Sequence, residues 1–191
     1  MKDIFRDVVE QYFEVPNPKD SEIDAMVSLF VPLSKPKGTI LFHEGDQHSY
    51  CYLLLKGAAR GYFLKNGLEV NTWFAFDEDL LGNMRSYFGE PADETIELLE
   101  DSELFSIDIR GFKPLLETNF LANVLTRKIL EENTIYMESR IQDLLHKTAQ
   151  EKYEALLRKE PEVFNRVSLT HIASYLGMSR ENLSRIRAKR K

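Results

Sequence analysis

Residues 168–191 read SLTHIASYLGMSRENLSRIRAKRK, with the spacing of two short helices joined by a tight turn. Ser168 and Ser179 are predicted helix N-caps, because a serine hydroxyl accepts a hydrogen bond from an otherwise unpaired N–H of the first turn. Gly177 lies between them and tolerates the positive φ that the turn requires. Ala173 is small where the two helices must cross closely. The apolar positions recur at helical spacing: Leu169, Ile172, Leu176, Met178, Leu183 and Ile186. This pattern predicts a helix-turn-helix.

One face of the second predicted helix is polar, because steps of three and four residues return to the same side. It carries Arg180, Glu181, Ser184 and Arg185. An arginine fork matches guanine O6 and N7, a glutamate accepts from cytosine N4, and the N-terminal end of such a helix enters the major groove. The residues predicted to contact DNA are Ser168, Ser179, Arg180, Glu181, Ser184, Arg185 and Lys189. The alternative is a solvated face with an i,i+4 pair between Glu181 and Arg185.

Charge is distributed unevenly along the chain, whose formal net charge is −6. From Lys147 onward, 11 Lys and Arg residues outnumber 5 Asp and Glu, whereas residues 1–146 hold 14 basic against 26 acidic residues. A basic end on an acidic body confines phosphate attraction to that end. The residues expected to supply phosphate contacts are Arg187, Lys189, Arg190 and Lys191.

Length and composition bound the class of protein. The 191 residues, 43% of them hydrophobic, suffice for one good-sized domain and a small one. No apolar run approaches the roughly 20 residues of a membrane helix, and the start, MKDIFRDVVE, is too acidic for a secretory signal. Cys51 is the one cysteine, so no internal disulfide can form and a reducing cytoplasm is the expected compartment.

Two helical segments precede a β-rich middle. Helical apolar spacing marks residues 2–14 and 21–30, which are separated by the break Pro16-Asn17-Pro18. Strands are predicted at residues 39–43, 50–56, 59–64, 69–76, 95–99 and 104–109. Asn66-Gly67 is a hairpin signal, because both residues accept positive φ. Short strands at regular intervals predict a rolled antiparallel sheet.

The segment GMSRENLSRI at 177–186 resembles the recognition helix of the cyclic-AMP receptor/Fnr (Crp/Fnr) superfamily of bacterial transcription regulators. In that family the positions matching Arg180, Glu181 and Arg185 touch base edges. The middle resembles the family's cyclic-nucleotide-binding β-roll through KGTILFHEGD at 37–46, LLKG at 54–57, the turn glycine Gly67 and the pair Leu81-Gly82. The resemblance implies an α+β fold with N-terminal helices and an antiparallel, jelly-roll-like sensor at 1–113, a dimerisation helix at 114–146 and a DNA-binding domain at 147–191. It also implies RNA polymerase as a partner.

The chain departs from the family at the effector pocket. Members that bind cyclic nucleotides present a Gly-Glu-Leu-like element, whose glutamate holds the ribose, and an arginine that neutralises the cyclic phosphate. The matching positions here are Gly82-Asn83-Met84 and Ala92-Asp93-Glu94-Thr95, which include no basic residue. Two like charges 4 Å apart cost about 4 kcal/mol at an effective dielectric of about 20. Cyclic AMP and cyclic GMP are therefore not expected to bind.

A pocket for some other effector stays open at this stage. Arg85 or Arg127 could reach in from elsewhere and restore an anion site, and an unliganded, degenerate roll is the alternative. The residues predicted to line the pocket are Gly82, Asn83, Met84, Arg85, Asp93, Thr95 and Arg127. No cofactor is predicted.

Residues 114–146 form the longest helical candidate, without Gly or Pro after Pro114. Its apolar stripe, Leu130, Thr134, Met137, Ile141 and Leu144, has the spacing of a seam between two copies of the chain. The alternative is that the stripe packs on its own β-roll. The family dimerises here, and a two-fold operator demands paired recognition helices. Little space is left between Lys159 and Ser168 for the family's β-hairpin wing, which is expected to be reduced or absent.

Other reactive residues give no clear sign of catalysis. His43, Glu44 and His48 lack the spacing of a cupin metal site, so no metal is predicted. Cys51 is expected to be a buried, inert thiol, and His171 to face DNA or ordinary surface. No nucleophile-and-base arrangement is recognisable, so the chain is predicted to be a dimeric, sequence-specific DNA-binding regulator rather than an enzyme. The rivals are a non-catalytic β-roll that binds a protein or small molecule without specific DNA binding, and a cupin-like metalloenzyme.

Overall fold

The computed structural model describes residues 5, 6, 10, 15 and 17–189. Most of the helix predicted at 2–14, together with Arg190 and Lys191, lies outside the described residues. Strands in the described part are β1 (Phe30–Lys35), β2 (Ile40–Phe42), β3 (Tyr50–Lys56), β4 (Ala59–Lys65), β5 (Leu68–Ala75), β6 (Leu80–Leu81), β7 (Thr95–Leu98) and β8 (Ser102–Asp108). The helices are α1 (Asp20–Val27), α2 (Met84–Tyr87), α3 (Ile109–Phe112), α4 (Leu115–Thr118), α5 (Phe120–His146), α6 (Ala149–Lys159), α7 (Val163–Arg166), α8 (Leu169–Tyr175) and α9 (Arg180–Ala188).

The strands form the predicted antiparallel β-roll, residues 30–108. One sheet has the order β1-β8-β3-β6 and the other has the order β2-β7-β4-β5. The inward faces bury a core of Leu54, Leu81, Ile96, Leu98 and Leu104, each at most 1% exposed. Burying a leucine or isoleucine side chain of this size contributes about 1.5–3 kcal/mol, so this core holds the two sheets together.

The hairpin predicted at Asn66-Gly67 joins β4 to β5. Both residues have positive φ, 53° and 77°, as a two-residue turn that follows the strand twist requires. Lys65 pairs with Leu68 directly beside the turn. The hairpin prediction is therefore confirmed at the level of the backbone.

Strand β1 was not predicted, and the helix predicted at 21–30 ends at Val27. Phe30, expected in that helix, begins β1 and pairs with Ile107 of β8. Pro32 hides the strand in the sequence, because proline lacks the N–H that a central strand must donate. The proline is tolerated because β1 lies at the edge of its sheet.

The long helix begins at Phe120 rather than at residue 114. Asn119 has an extended backbone, and its side-chain oxygen accepts from the N–H of Ala122 at 2.9 Å, which caps the helix. The same amide donates to the backbone oxygen of Glu22 at 2.9 Å. Two short helices, α3 and α4, occupy the residues before this cap.

The apolar stripe of α5 is exposed. Leu130, Met137, Ile141 and Leu144 are between 42% and 63% exposed. The alternative that this stripe packs on its own β-roll is therefore wrong for the described chain. Only the first turns of α5 are buried, through Leu121 and its neighbours against α1.

The C-terminal end forms the predicted helix-turn-helix, α8 and α9. Gly177 has a φ of +67° in the turn, and Ala173 is 2% exposed between the helices. Short helix α7 occupies the segment between α6 and α8, and no strand follows β8 within the described residues. The fold class is α+β, as predicted.

The helix-turn-helix and the β-roll share one hydrophobic core. Phe74 and Phe76 from the roll pack in the same buried cluster as Ile172, Leu176 and Leu183. Helix α8 lies along β5, which is the edge strand of its sheet. The basic end is therefore docked on the outer face of the second sheet.

Candidate nucleic-acid interface and effector pocket

Helix α9 presents the polar face that the sequence predicted. The Ser179 hydroxyl accepts from the backbone N–H of Asn182 at 3.2 Å and so starts the helix. Leu183 is fully buried beneath it. The side chains that remain exposed on the other side are Arg180, Glu181, Ser184 and Arg185. The buried leucine thus fixes the helix with its polar face toward solvent.

Glu181 lies in the first turn of α9. Its own backbone N–H and the Ser179 hydroxyl hold the pKa of its carboxyl below the ordinary value. A carboxylate at a helix N-terminus is also favoured by the helix dipole. Glu181 is therefore an ionised, exposed acceptor, which is the state needed to accept from a cytosine amino group.

Arg185 does not form the pair with Glu181 that the solvated-face alternative required. Its Nη2 donates to the Oδ1 of Asn182 at 3.2 Å, one helical turn earlier. Within the described residues, no ion pair between Glu181 and Arg185 is present. Asn182, which the sequence analysis did not single out, therefore positions this guanidinium.

Ser168 and Lys189 lie at the two ends of the helix-turn-helix. The Ser168 hydroxyl accepts from the backbone N–H of His171 at 3.2 Å and caps α8, and the residue is exposed. Lys189 is exposed at the C-terminal end of α9. Both remain accessible to a phosphate backbone.

His171 is half-buried against the β-roll, whereas the sequence analysis expected it to face DNA or to be an ordinary surface residue. Its Nδ1 lies 3.0 Å from the Nη1 of Arg60 on β4. Arginine has no acceptor, so Arg60 donates and the Nδ1 of His171 accepts. Burial and then the charge of Arg60 lower the pKa of His171, against the opposing effect of Glu69 and Glu97.

Arg60 is buried in a polar cluster on the outer face of the second sheet. Its guanidinium donates to Glu97 at 2.5 and 2.8 Å, to Glu69 at 2.6 Å and to Asn71 at 3.1 Å. Two carboxylates therefore compensate the one buried cation. A charge at 3% exposure is sustainable only with such partners.

Arg166 is the second polar link between the basic end and the roll. It donates from α7 to Asp77 at 2.9 Å, to Glu100 at 2.7 Å and to the backbone oxygen of Gly57 at 2.7 Å. Hydrogen bonding from Arg166 holds the pKa of Asp77 below its ordinary value, although burial opposes it. This arginine is thus occupied by the roll and is not available to DNA.

The predicted effector pocket is only partly assembled. Asn83 donates to Asp93 at 2.6 Å, and Arg85 donates to Asp93 at 2.8 Å and to Glu90 at 2.9 Å. Gly82 and Met84 flank Asn83 at the start of α2. The one guanidinium that could have held a phosphate here is therefore compensated by two carboxylates.

The adjacent strand residues add no positive charge. Glu94 accepts from the Trp73 indole at 3.0 Å and from Thr72 at 2.9 Å, and burial raises the pKa of its carboxyl despite these bonds. Trp73 lies against Gly61, where an added Cβ would meet the indole at 2.3 Å. The buried Thr95 hydroxyl accepts from the backbone N–H of Glu44 at 3.0 Å.

Arg127 does not join this pocket. It donates to Glu131 at 2.6 Å within α5 and lies in an open groove with Tyr87 and Leu130. Among the described residues, Arg127 forms no hydrogen bond with Asn83 or Asp93, so it does not restore an anion site there.

The described residues contain no group of three or more His, Cys, Asp or Glu side chains placed to hold a metal ion. Burial raises the pKa of Cys51 to about 11, so the thiolate, which is the reactive form, is scarce at neutral pH. No helix in the described part of the chain has both the length and the apolar character to cross a membrane.

Comparison with known proteins agrees with this geometry. Residues 32–119 match the cyclic nucleotide-binding domain family, whereas the comparison with curated proteins finds no match. Residues 32–119 are thus similar to the cyclic nucleotide-binding domain, and they cover most of the β-roll.

Solved structures match over most of the chain. FixK2 from Bradyrhizobium japonicum has a TM-score of 0.73 at 19% identity, over 84% of this chain and 83% of its own. The global regulator CLP from Xanthomonas campestris, described as c-di-GMP responsive, has a TM-score of 0.69 at 19% identity, over 90% and 91%. A protein from Eubacterium rectale described as a transcriptional regulator of the crp/fnr family has a TM-score of 0.68 at 19% identity, over 92% and 83%. Over these spans the chain therefore has the same fold as these three proteins, as the sequence resemblance predicted.

Proposed function

We propose that this protein is a dimeric, sequence-specific DNA-binding transcription regulator of the Crp/Fnr type. It has no catalytic role in this proposal, and its effector is not cyclic AMP. The cytoplasmic location that a DNA partner requires, and contact with RNA polymerase, belong to the same proposal.

The observation that carries the proposal is the exposed polar face of α9. Helix α9 begins at a capped N-terminus, and its exposed side chains include Arg180, Glu181 and Arg185. In a recognition helix, the N-terminal end is the part that enters the major groove. Arginine and glutamate together favour operator positions with G·C pairs.

Dimerisation is supported by the exposed stripe of α5. An isolated helix face with this many apolar side chains normally meets a partner, and the seven-residue spacing of Leu130, Met137 and Leu144 suits a second copy of the same helix. Two copies related by a two-fold axis would present two α9 helices to successive turns of the major groove.

The charges around Asn83 support the proposal that cyclic AMP is not the effector. Arg85 is already bound by Asp93 and Glu90, whose carboxylates would repel a cyclic phosphate. Calorimetric titration of cyclic AMP into the purified protein should therefore give no saturable heat. Binding in the micromolar range with one nucleotide per chain would overturn this part of the proposal.

The test of the whole proposal is selection of genomic fragments by the purified protein at near-physiological salt, followed by sequencing. An enriched two-fold motif with half-sites about one helical turn apart is the expected outcome. Retention of DNA without any enriched motif would mean that the binding is purely electrostatic. It would favour the alternative, a β-roll that binds a protein or small molecule without specific DNA binding. A matched control is the double variant Arg180→Ala/Glu181→Ala, which should lose the motif while it keeps its fold.

A further inference from the structure

A cleft lies at the junction of the long helix and the DNA-binding end. Its volume is about 670 Å³, within the range of sites that bind metabolites. Helix α5 forms one wall, α6 forms another, and Tyr175 and Leu176 at the end of α8 close it. We refer to it as the junction cleft.

Cations outnumber anions in the junction cleft. Its basic residues are Arg140, Lys147, Lys152, Arg158 and Lys159, and its acidic residues are Glu138, Asp143 and Glu160. The chain as a whole is acidic, with a net charge of −6. A concave surface with an excess of positive charge, here five cations against three anions, attracts small anions.

Three of the five cations are already engaged. Lys147 pairs with Asp143 at 2.5 Å, and Lys159 lies 3.9 Å from Glu160 and 4.7 Å from the centre of the Tyr136 ring. Arg140 donates to the backbone oxygen of Tyr175 and lies 3.8 Å from the centre of its ring. These contacts hold the walls of the cleft together.

The other two cations form no comparable contact within the described residues. Within the described residues, neither Lys152 nor Arg158 has an ion-pair partner. Both lie on α6 and line the cleft, and Lys152 is half-buried whereas Arg158 is exposed. They are the groups that an added anion would meet.

We propose that the junction cleft binds a small multivalent oxyanion, a phosphate- or carboxylate-bearing metabolite, through Lys152 and Arg158. Lysine and arginine form charge-assisted hydrogen bonds with such groups. A half-buried lysine that lines a concave site suits a small molecule better than the convex backbone of duplex DNA. The site is distinct from the pocket around Asn83, whose cation is compensated.

A ligand in the junction cleft would touch both the dimer helix and the helix-turn-helix. Tyr136 on α5 and Tyr175 on α8 are joined by a hydroxyl–hydroxyl hydrogen bond of 3.1 Å. An anion bound by the α6 cations would lie beside this pair of tyrosines. It would therefore restrain the angle between α5 and α8. The cleft thus offers a place from which a metabolite could set the orientation of α9.

The test is calorimetric titration of sodium pyrophosphate into the full chain, with citrate as a second probe. This measurement needs no DNA, so its failure is separate from failure of the proposed function. We expect saturable binding of one probe per chain, weakened by salt because the contact is ionic. Tighter binding of pyrophosphate identifies a phosphate ligand, and tighter binding of citrate identifies a carboxylate ligand.

Variants locate the binding in the cleft. Lys152→Gln and Arg158→Gln should each weaken binding about tenfold, the loss of one charge-assisted hydrogen bond. Lys65→Gln, an exposed lysine on the β4–β5 hairpin, is the matched control and should bind as the wild type does. Ser139→Glu adds a carboxylate to the wall of the cleft that α5 forms. It should abolish binding, and it is an independent variant if a substitution on α6 impairs folding.

Several outcomes would overturn the proposal. One is the lack of saturation by either probe. Another is an equal loss of binding in Lys65→Gln. A third is unchanged pyrophosphate binding in Lys152→Gln and Arg158→Gln with uniformly weaker DNA binding, which would assign these cations to the DNA backbone.

Discussion

Arg60 of the β-roll donates a hydrogen bond to the Nδ1 of His171 in the helix-turn-helix, over 3.0 Å. This bond requires a neutral imidazole with its proton on Nε2. Protonation would remove the acceptor and place a second cation beside a buried guanidinium. The contact between the two parts of the protein is therefore sensitive to acid.

The first prediction is that acid weakens this contact. Because the pKa of His171 is lowered in the folded protein, the stability it contributes is fully present above the ordinary histidine pKa of about 6.5 and is lost as pH falls below it. Thermal unfolding between pH 8 and about pH 5 should show a steeper loss of Tm for the wild type than for His171→Gln, which keeps an acceptor without titrating. Parallel profiles for the two proteins would contradict the prediction, and His43→Gln, at an exposed histidine, is the control.

The second prediction concerns Arg166. Arg166→Gln should lower the free energy of unfolding by about 2 kcal/mol, because it leaves Asp77 and Glu100 without their cation at a half-buried interface. Urea unfolding measures this difference. Arg110→Gln removes an exposed pair with Asp108 and should lower the free energy of unfolding much less. Equal losses in the two variants would show that Arg166 is an ordinary surface charge.

The third prediction separates base contacts from phosphate contacts. Glu181→Ala should relax the base preference at one operator position by about 1–3 kcal/mol, with a modest loss of affinity. Lys189→Ala should weaken binding to every sequence. It should also reduce the slope of log affinity against log salt concentration by the amount that corresponds to about one phosphate contact per subunit. Binding measured on matched and mismatched operators over a range of salt tests both. If Glu181→Ala and Lys189→Ala changed the base preference equally, Glu181 would not be a base contact distinct from a phosphate contact at Lys189.

The fourth prediction concerns the dimer. Ile141 is 53% exposed on the stripe of α5, and Ile141→Glu should raise the dimer dissociation constant at least about 100-fold, because two buried isoleucines are lost per dimer. Sedimentation equilibrium measures the change. Leu68→Glu, at a 72% exposed leucine of the β4–β5 hairpin, should leave the dimer intact. A monomeric wild-type protein would refute the proposed seam.

Local signals explain which elements the sequence predicted. The helix-turn-helix depends on caps and a turn within a few residues of one another, and Ser168, Gly177 and Ser179 have the predicted roles. The hairpin at Asn66-Gly67 is local in the same sense. By contrast, β1 contains Pro32 and is stabilised by pairing with β8, which is more than 60 residues away in sequence. Pairing over that distance leaves no signal in a short window.

Contacts between distant segments explain what the sequence did not predict. Arg166 belongs to the basic C-terminal end and had no predicted role, yet it pairs with carboxylates of the roll. Arg127 and Arg85 were grouped in one pocket because both are basic, but each is bound by carboxylates close to it in sequence. Charge counts cannot show which carboxylate a given arginine meets.

The position of Ser174 beside β5 has a consequence for solubility. Its hydroxyl donates to the backbone oxygen of Glu69 at 2.9 Å and accepts from the backbone N–H of Asn71 at 3.1 Å, so it occupies the place of a neighbouring strand. If the helix-turn-helix moved away, the edge of β5 would be exposed beside the aromatic ring of Phe74. An exposed strand edge can pair with strands from other molecules. The first helix of the helix-turn-helix therefore also protects the protein from self-association through the edge of its sheet.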